Sequence, residues 1–162
     1  MKKLFLAVAL LATSFANAYQ TFLAGPSGGY GGYVFQDSPP SDFDQVILVK
    51  ACSNKYLDSV EMVVRDRSGD HIQYGKHGGN AIGCKTLYFW EGEYITSVSG
   101  RYGRYVDSIR VKTSEGRELF VGGTTGAATY KFEGDDQYQI AGFHGLYNLL
   151  VDAIGVVYVK KY

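Results

Sequence analysis

Apolar and polar residues alternate with a period of two, or gather in short apolar runs, along most of the chain. Segments 45–50, 59–65, 85–90, 94–99, 107–112, 129–132, 137–140 and 153–159 are rich in β-branched and aromatic residues and are bounded by Gly, Asp, Asn or Ser. Such runs are too short for amphipathic helices and carry the side-chain period of a pleated strand, so each is predicted to be a strand. Segments 32–35, 71–74 and 118–121 repeat the pattern more weakly. About twelve strands at this spacing predict an all-β sandwich, barrel or prism. Arg67-Ser68-Gly69-Asp70 and Ser114-Glu115-Gly116-Arg117 are predicted hairpin turns in which Gly supplies positive φ.

One phrase enters three of these strands. It reads Asn54-Lys55-Tyr56-Leu57-Asp58, then Gly103-Arg104-Tyr105-Val106-Asp107, then Asn148-Leu149-Leu150-Val151-Asp152. The aspartates are 49 and 45 residues apart, a period at which one supersecondary unit is used repeatedly. Three Gly-Gly sites, at Gly28-Gly29, Gly78-Gly79 and Gly122-Gly123, alternate with the phrases. Each third of the chain therefore supplies about four strands, which a Greek key requires. Three such sheets about a pseudo-threefold axis would bury one common core.

Composition narrows the class. Lys2 and Lys3, the apolar run from Leu4 to Ala12 and the small residues Ala16-Asn17-Ala18 form a secretory signal peptide, with cleavage expected near Ala18 and one domain over 19–162. The apolar run is too short to span a bilayer, so a soluble protein exported to the periplasm or the medium is expected. Sixteen Lys and Arg balance sixteen Asp and Glu, and no basic face points to nucleic acid. Arg101, Arg104 and Arg110 read as a solvated edge. In an oxidising compartment, Cys52 and Cys84 favour a disulfide over zinc, for which no Cys-x-x-Cys or His pair is present.

The loops carry the candidate chemistry. Gly and Asn both tolerate a left-handed backbone, which predicts a tight turn at the head of each phrase, with N–H groups facing one side beside an Asp carboxylate. Backbone donors with one charged acceptor suit the vicinal hydroxyls of a sugar, and no metal or cofactor is required. The competing reading is that each Asp bonds its own turn. Tyr56, Tyr105 and Tyr147 either stack on a sugar ring or pack the loops.

The sequence resembles the jacalin-related lectin family in three segments. Gly25-Pro26-Ser27-Gly28-Gly29-Tyr30-Gly31-Gly32, continuing through Tyr33-Val34-Phe35-Gln36 to Asp37, is similar to the family's Gly-rich opening, with Ser27 where Trp is frequent. Gly92-Glu93-Tyr94-Ile95-Thr96-Ser97-Val98-Ser99-Gly100 resembles a family strand phrase. The third segment runs from Gly142-Phe143-His144-Gly145 to Asp152-Ala153-Ile154-Gly155, with Asn148 in place of the usual Gly. The resemblance implies a β-prism of three four-stranded Greek-key sheets that binds mannose- or glucose-type glycans. It implies a primary site in which Gly32, Leu149 and Leu150 donate backbone N–H groups, Asn148 heads the turn and Asp152 supplies the carboxylate. A second candidate site comprises Asn54, Lys55, Tyr56, Asp58, Gly78 and Gly79; a third comprises Gly103, Arg104, Tyr105, Asp107, Gly122 and Gly123. With these loops as neighbours, a Cys52–Cys84 bridge would staple the second corner and contribute about 3 kcal/mol.

Two rival classes remain in view. A glycoside hydrolase needs two carboxylates flanking a cleft; Glu91 and Glu93 read as strand-edge residues, Asp135-Asp136 as a polar turn, and His144 as structural, so no enzyme is expected. A secreted structural or partner-binding prism without a sugar site is the other alternative, since fold alone does not fix function. Shallow single-sugar sites gain strength through several sites or a homo-oligomer.

Overall fold

A computed structural model describes residues 20–80 and 82–162; the leader-like segment 1–18 and Tyr19 lie outside them. The described residues form twelve strands and no helix: β1 (Thr21–Gly28), β2 (Tyr33–Gln36), β3 (Phe43–Ser53), β4 (Leu57–Asp66), β5 (His71–Gly78), β6 (Cys84–Tyr88), β7 (Ile95–Tyr102), β8 (Ser108–Thr113), β9 (Glu118–Gly122), β10 (Ala128–Glu133), β11 (Tyr138–Tyr147) and β12 (Val151–Lys160). No helix among the described residues is long and apolar enough to cross a membrane.

The strands form three Greek keys. One sheet has the order β5-β4-β3-β6, and a second β10-β7-β8-β9, so that the fourth strand of each returns beside the first. The remaining key uses both ends of the chain: β2-β11-β12-β1. The last two of these sheets are continuous through one residue pair, Ile140 opposite Ile95. Both side chains are fully buried, so the sheets meet where the apolar face of each turns into the common core.

Alternation in the sequence becomes burial in the structure. In β4, Leu57, Ser59, Val60, Met62 and Val64 are buried, while the intervening residues are half-buried. Val46 and Val49 of β3, Val98 of β7, Ile109 and Val111 of β8, and Phe143 of β11 complete the same core. Each such side chain contributes on the order of 1.5–3 kcal/mol on burial. β12 is buried along nearly its whole length because it is central between β1 and β11, and Phe22 stacks on Tyr158 over its outer face.

Two strands depart from the pattern. β1, which the alternation pattern did not include, carries Gly25-Pro26; its pairing with β12 shifts register between Ala24 and Ser27 and so accommodates that dipeptide. β11 runs far beyond 137–140 through the glycines of Gly142-Phe143-His144-Gly145. Gly142 lacks a side chain for a packing reason, because a Cβ there would stand 2.8 Å from the Cβ of Asp37. The turns at Gly69 and Gly116 do use positive φ, +94° and +73°.

Cys52 and Cys84 face each other across β3 and β6 and are joined by a disulfide. Reducing it, or replacing both residues by Ser, is expected to lower stability by about 3 kcal/mol, because the bridge limits the unfolded chain. Urea denaturation with and without reductant measures this, and a change below about 1 kcal/mol would leave the bridge without the expected role.

Candidate functional site

The three copies of the repeated phrase form the first hairpin of each Greek key: β3–β4, β7–β8 and β11–β12. The apolar residue before each Asp, namely Leu57, Val106 or Val151, is fully buried. Leu57 N–H donates to Val106 O at 2.9 Å, and Val106 N–H to Val151 O at 3.0 Å, tying the hairpins together at one end of the prism.

The Gly-Gly sites connect the third and fourth strands of each key. In all three, the second glycine donates its N–H to the carbonyl of the Asp: Gly29 to Asp152 at 2.8 Å, Gly79 to Asp58 at 2.9 Å and Gly123 to Asp107 at 3.0 Å. The first glycine has positive φ (+144° at Gly28, +119° at Gly78, +102° at Gly122), and a Cβ there would stand 2.2, 2.0 or 2.2 Å from that same carbonyl oxygen. Only Gly permits such an approach.

This geometry corrects one expectation. Asn54, Gly103 and Asn148 head their turns without positive φ; no non-Gly residue among those described has it. A Cβ at Gly103 would meet only Ala127 N, at 4.0 Å. The turns close by ordinary bonds instead: Gly103 N–H donates to Tyr105 O and Asn148 N–H to Leu150 O, both at 2.9 Å. Asn replaces Gly there because a side chain fits. The left-handed requirement belongs to the facing Gly-Gly loop.

The three carboxylates differ. Asp58 accepts the Asn54 N–H at 2.6 Å and so closes its own turn. Asp107 is buried and accepts from the Thr125 hydroxyl at 3.3 Å. Asp152 is only 6% exposed, yet its Oδ2 has no hydrogen-bond partner among the described residues. It lies against glycine backbone: a Cβ on Gly31 would be 3.1 Å from Oδ1, and one on Gly32 2.8 Å from Oδ2. Burial pushes the Asp152 carboxyl above the ordinary carboxylate range, and the Arg104 charge pulls it partly back.

Asp152 opens onto a cleft of about 660 Å³. Gly28 to Gly32 form one wall, Asn148, Leu149 and Leu150 another, and Gly103, Arg104 and Tyr105 a third. The structure thus brings Gly32, Asn148, Leu149, Leu150 and Asp152 together. It adds Gly28, Gly29, Tyr30 and Gly31 of the Gly-rich opening. It also turns Gly103, Arg104 and Tyr105 toward this cleft, although the sequence grouped them with Asp107.

The tyrosines largely pack on protein. Tyr56 and Tyr105 lie 5.3 Å apart, and Tyr147 packs against Tyr33, Phe35 and His77; Tyr105 also lines the cleft. Other polar groups serve the scaffold. Glu93 is buried rather than a strand-edge residue, and accepts from Trp90 N–H at 2.8 Å, Arg117 at 3.1 Å and the Thr113 hydroxyl. His144 bonds the Ala24 carbonyl at 2.9 Å. No group of three His, Cys, Asp or Glu among the described residues could hold a metal ion.

The family model of the jacalin-like lectin domain matches residues 24–157, which include all three corners. The chain belongs to the jacalin-like lectin domain family. This lectin domain is 34% identical over 143 residues to Jacalin-related lectin 3 of Arabidopsis thaliana, spanning 82% of the chain and 23% of that protein. It is 31% identical over 147 residues to a mannose/glucose-specific lectin of Parkia pendula, spanning 82% of the chain and 30% of the relative. The matched regions span only about a quarter to a third of these relatives' own length. In fold it is similar to a Malaysian banana lectin, with a TM-score of 0.77 and 23% identity over 88% of this chain and all of that one. Membership is in a family of lectins, not of enzymes.

Proposed function

We propose that this lectin domain binds mannose- or glucose-type sugars of glycans in the Asp152 cleft, without a metal ion. One observation carries the proposal: Asp152, more than nine-tenths buried, lines a cleft walled by glycine backbone and has a carboxylate oxygen with no partner among the described residues. An unpartnered buried acceptor costs free energy unless something completes it. Two adjacent sugar hydroxyls would donate to Asp152. The N–H groups of Gly32, Leu149 and Leu150 would donate to sugar oxygens, with Asn148 holding the turn. The Parkia pendula relative, a mannose/glucose-specific lectin, supports the choice of sugar.

Affinity for one sugar should be near millimolar, about 4 kcal/mol. Asp152→Asn removes charge-assisted bonds worth about 1.5–3 kcal/mol each, so calorimetry with methyl α-mannoside should show at least a tenfold loss. Undiminished binding in the folded variant would overturn the assignment.

Acid should act in the same direction. The Asp152 carboxyl is held above its ordinary range, so sugar binding should begin to weaken above that range as pH falls. The stability sign is opposite. A raised folded value favours the protonated folded state, and that advantage is lost as pH rises through it. Near neutrality the ionised group is a cost, so Asp152→Asn is expected to melt no lower than the parent.

Asp58 and Asp107 rank below Asp152 as sugar acceptors because each already has a partner. Export follows from the leader-like segment 1–18, and the mass of the secreted product should place its N-terminus at Tyr19. Display on a homo-oligomer would raise avidity for glycans.

A further inference from the structure

The three hairpins pack head to tail around the end of the prism, and this places a different side chain at each corner. A Cβ on Gly29, beside Asp152, would stand 2.1 Å from Arg104 O. A Cβ on Gly79, beside Asp58, would stand 2.3 Å from Leu149 O; for Gly123, beside Asp107, the nearest atom would be Lys55 O at 3.7 Å. Arg104, Leu149 and Lys55 occupy the second position of the three repeated phrases. One scaffold position thus accepts Arg, Leu and Lys, and packing does not dictate which.

At the Asp152 corner that residue is the cation. Arg104 is exposed and lines the cleft, where it and Asp152 are the charged lining residues. Its guanidinium makes no ion pair or hydrogen bond among the described residues, and its charge lies over the Tyr105 ring at 5.5 Å. The backbone contact with Gly29 fixes where the arginine starts, so its planar donor fork is delivered to one rim of the cleft. Asp152 on the floor favours sugar hydroxyls and repels an anion; Arg104 on the rim does the reverse. The two together fit a ligand that is neutral at one end and anionic at the other.

We propose that the preferred ligand is an acidic glycan, in which a sugar seated at Asp152 is linked to a unit bearing a carboxylate or sulfate that pairs with Arg104. This rests on the sugar site at Asp152 and adds the class of glycan it selects. A guanidinium pairs either group through two parallel N–H bonds, which an ammonium does not reproduce.

The test is calorimetry with methyl α-mannoside, a neutral mannose disaccharide, and the same disaccharide carrying either a uronic acid or a sulfate ester at its second unit. The acidic forms should bind about fivefold tighter than the neutral one at low salt, a gain set by an exposed ion pair. That gain should shrink in about 0.5 M salt, where exposed charges are strongly screened. Arg104→Gln should abolish the preference for the acidic disaccharides over the neutral one, whatever its effect on methyl α-mannoside itself, and Arg104→Lys should retain part of it. The uronate and sulfate arms identify which anion is favoured. Equal affinity for neutral and acidic forms, or a preference that survives Arg104→Gln, overturns the proposal while leaving the sugar site standing. If Asp152→Asn also leaves methyl α-mannoside binding intact, the sugar site itself fails.

Discussion

Asp37→Ala should cost this domain about 3–5 kcal/mol, because it leaves two hydrogen-bond partners of a buried side chain without an acceptor, at about 1–3 kcal/mol each. The Asp37 side chain is 1% exposed. Its Oδ2 accepts the Phe143 N–H at 2.8 Å, and His77 Nε2 donates to its Oδ1 at 2.7 Å. Its own N–H donates to Phe143 O at 2.8 Å. Asp37 follows β2, whereas His77 belongs to β5, so this carboxylate connects two Greek keys across the core. His77 is further held by stacking on Phe35, with ring centroids 4.0 Å apart. Alanine would leave a buried N–H and a half-buried imidazole without an acceptor. Asp37→Asn keeps one acceptor and should cost less. Urea midpoints at unchanged m give the numbers, and a double-mutant cycle with His77→Phe isolates the pair. A loss under about 1 kcal/mol for Asp37→Ala would show that the keys do not depend on this contact.

Gly28→Ala should be nearly as damaging, and it should also impair sugar binding. The new Cβ would fall 2.2 Å from Asp152 O, on backbone that cannot step aside without moving Asp152 and the Gly29 N–H bonded to it. Gly69→Ala provides the control. Gly69 also has positive φ, +94°, but a Cβ there meets nothing within 4 Å. It should cost only the backbone term of about 1 kcal/mol, with sugar affinity unchanged. Gly28→Ala should exceed it by about 2 kcal/mol or more, in the manner of overpacked cores. Equal melting temperatures for the two variants would mean that the corner yields, contrary to the close approach described.

The strands were legible because a sheet with one buried face writes its period into the sequence, as in Leu57, Ser59, Val60, Met62 and Val64 of β4. β1 and the second half of β11 were not, since Gly25-Pro26 and Gly142 read locally as loop residues and only their partners, β12 and Asp37, explain them. The three corners were visible as repeats, and Asp152 with Asn148 to Leu150, neighbours in sequence, line one cleft. Which corner faces which was not visible. Arg104 and Tyr105 belong by sequence to the Asp107 phrase, but the head-to-tail packing turns them onto the Asp152 cleft. The role of Asn148 was misjudged for a similar reason: the turn residue was read in isolation, whereas the strained backbone sits on the opposite loop at Gly28. Likewise, Glu93 looked like an edge residue because nothing nearby in sequence announces Arg117 and Thr113 as its partners.

β1 lies beside β12, and the cleft takes one wall from the loop after β1 and another from the hairpin before β12. The other two Greek keys are each continuous in sequence; this one is a clasp that shuts only when distant segments meet. Contacts of such large separation bear the cost of loop closure and tend to form late. During synthesis, therefore, the cleft proposed to hold sugar cannot close until β12 has emerged. A bound glycan spanning Gly32 and Asp152 would in turn hold the clasp closed, slowing amide exchange in β1 and β12 more than in the self-contained key β3 to β6.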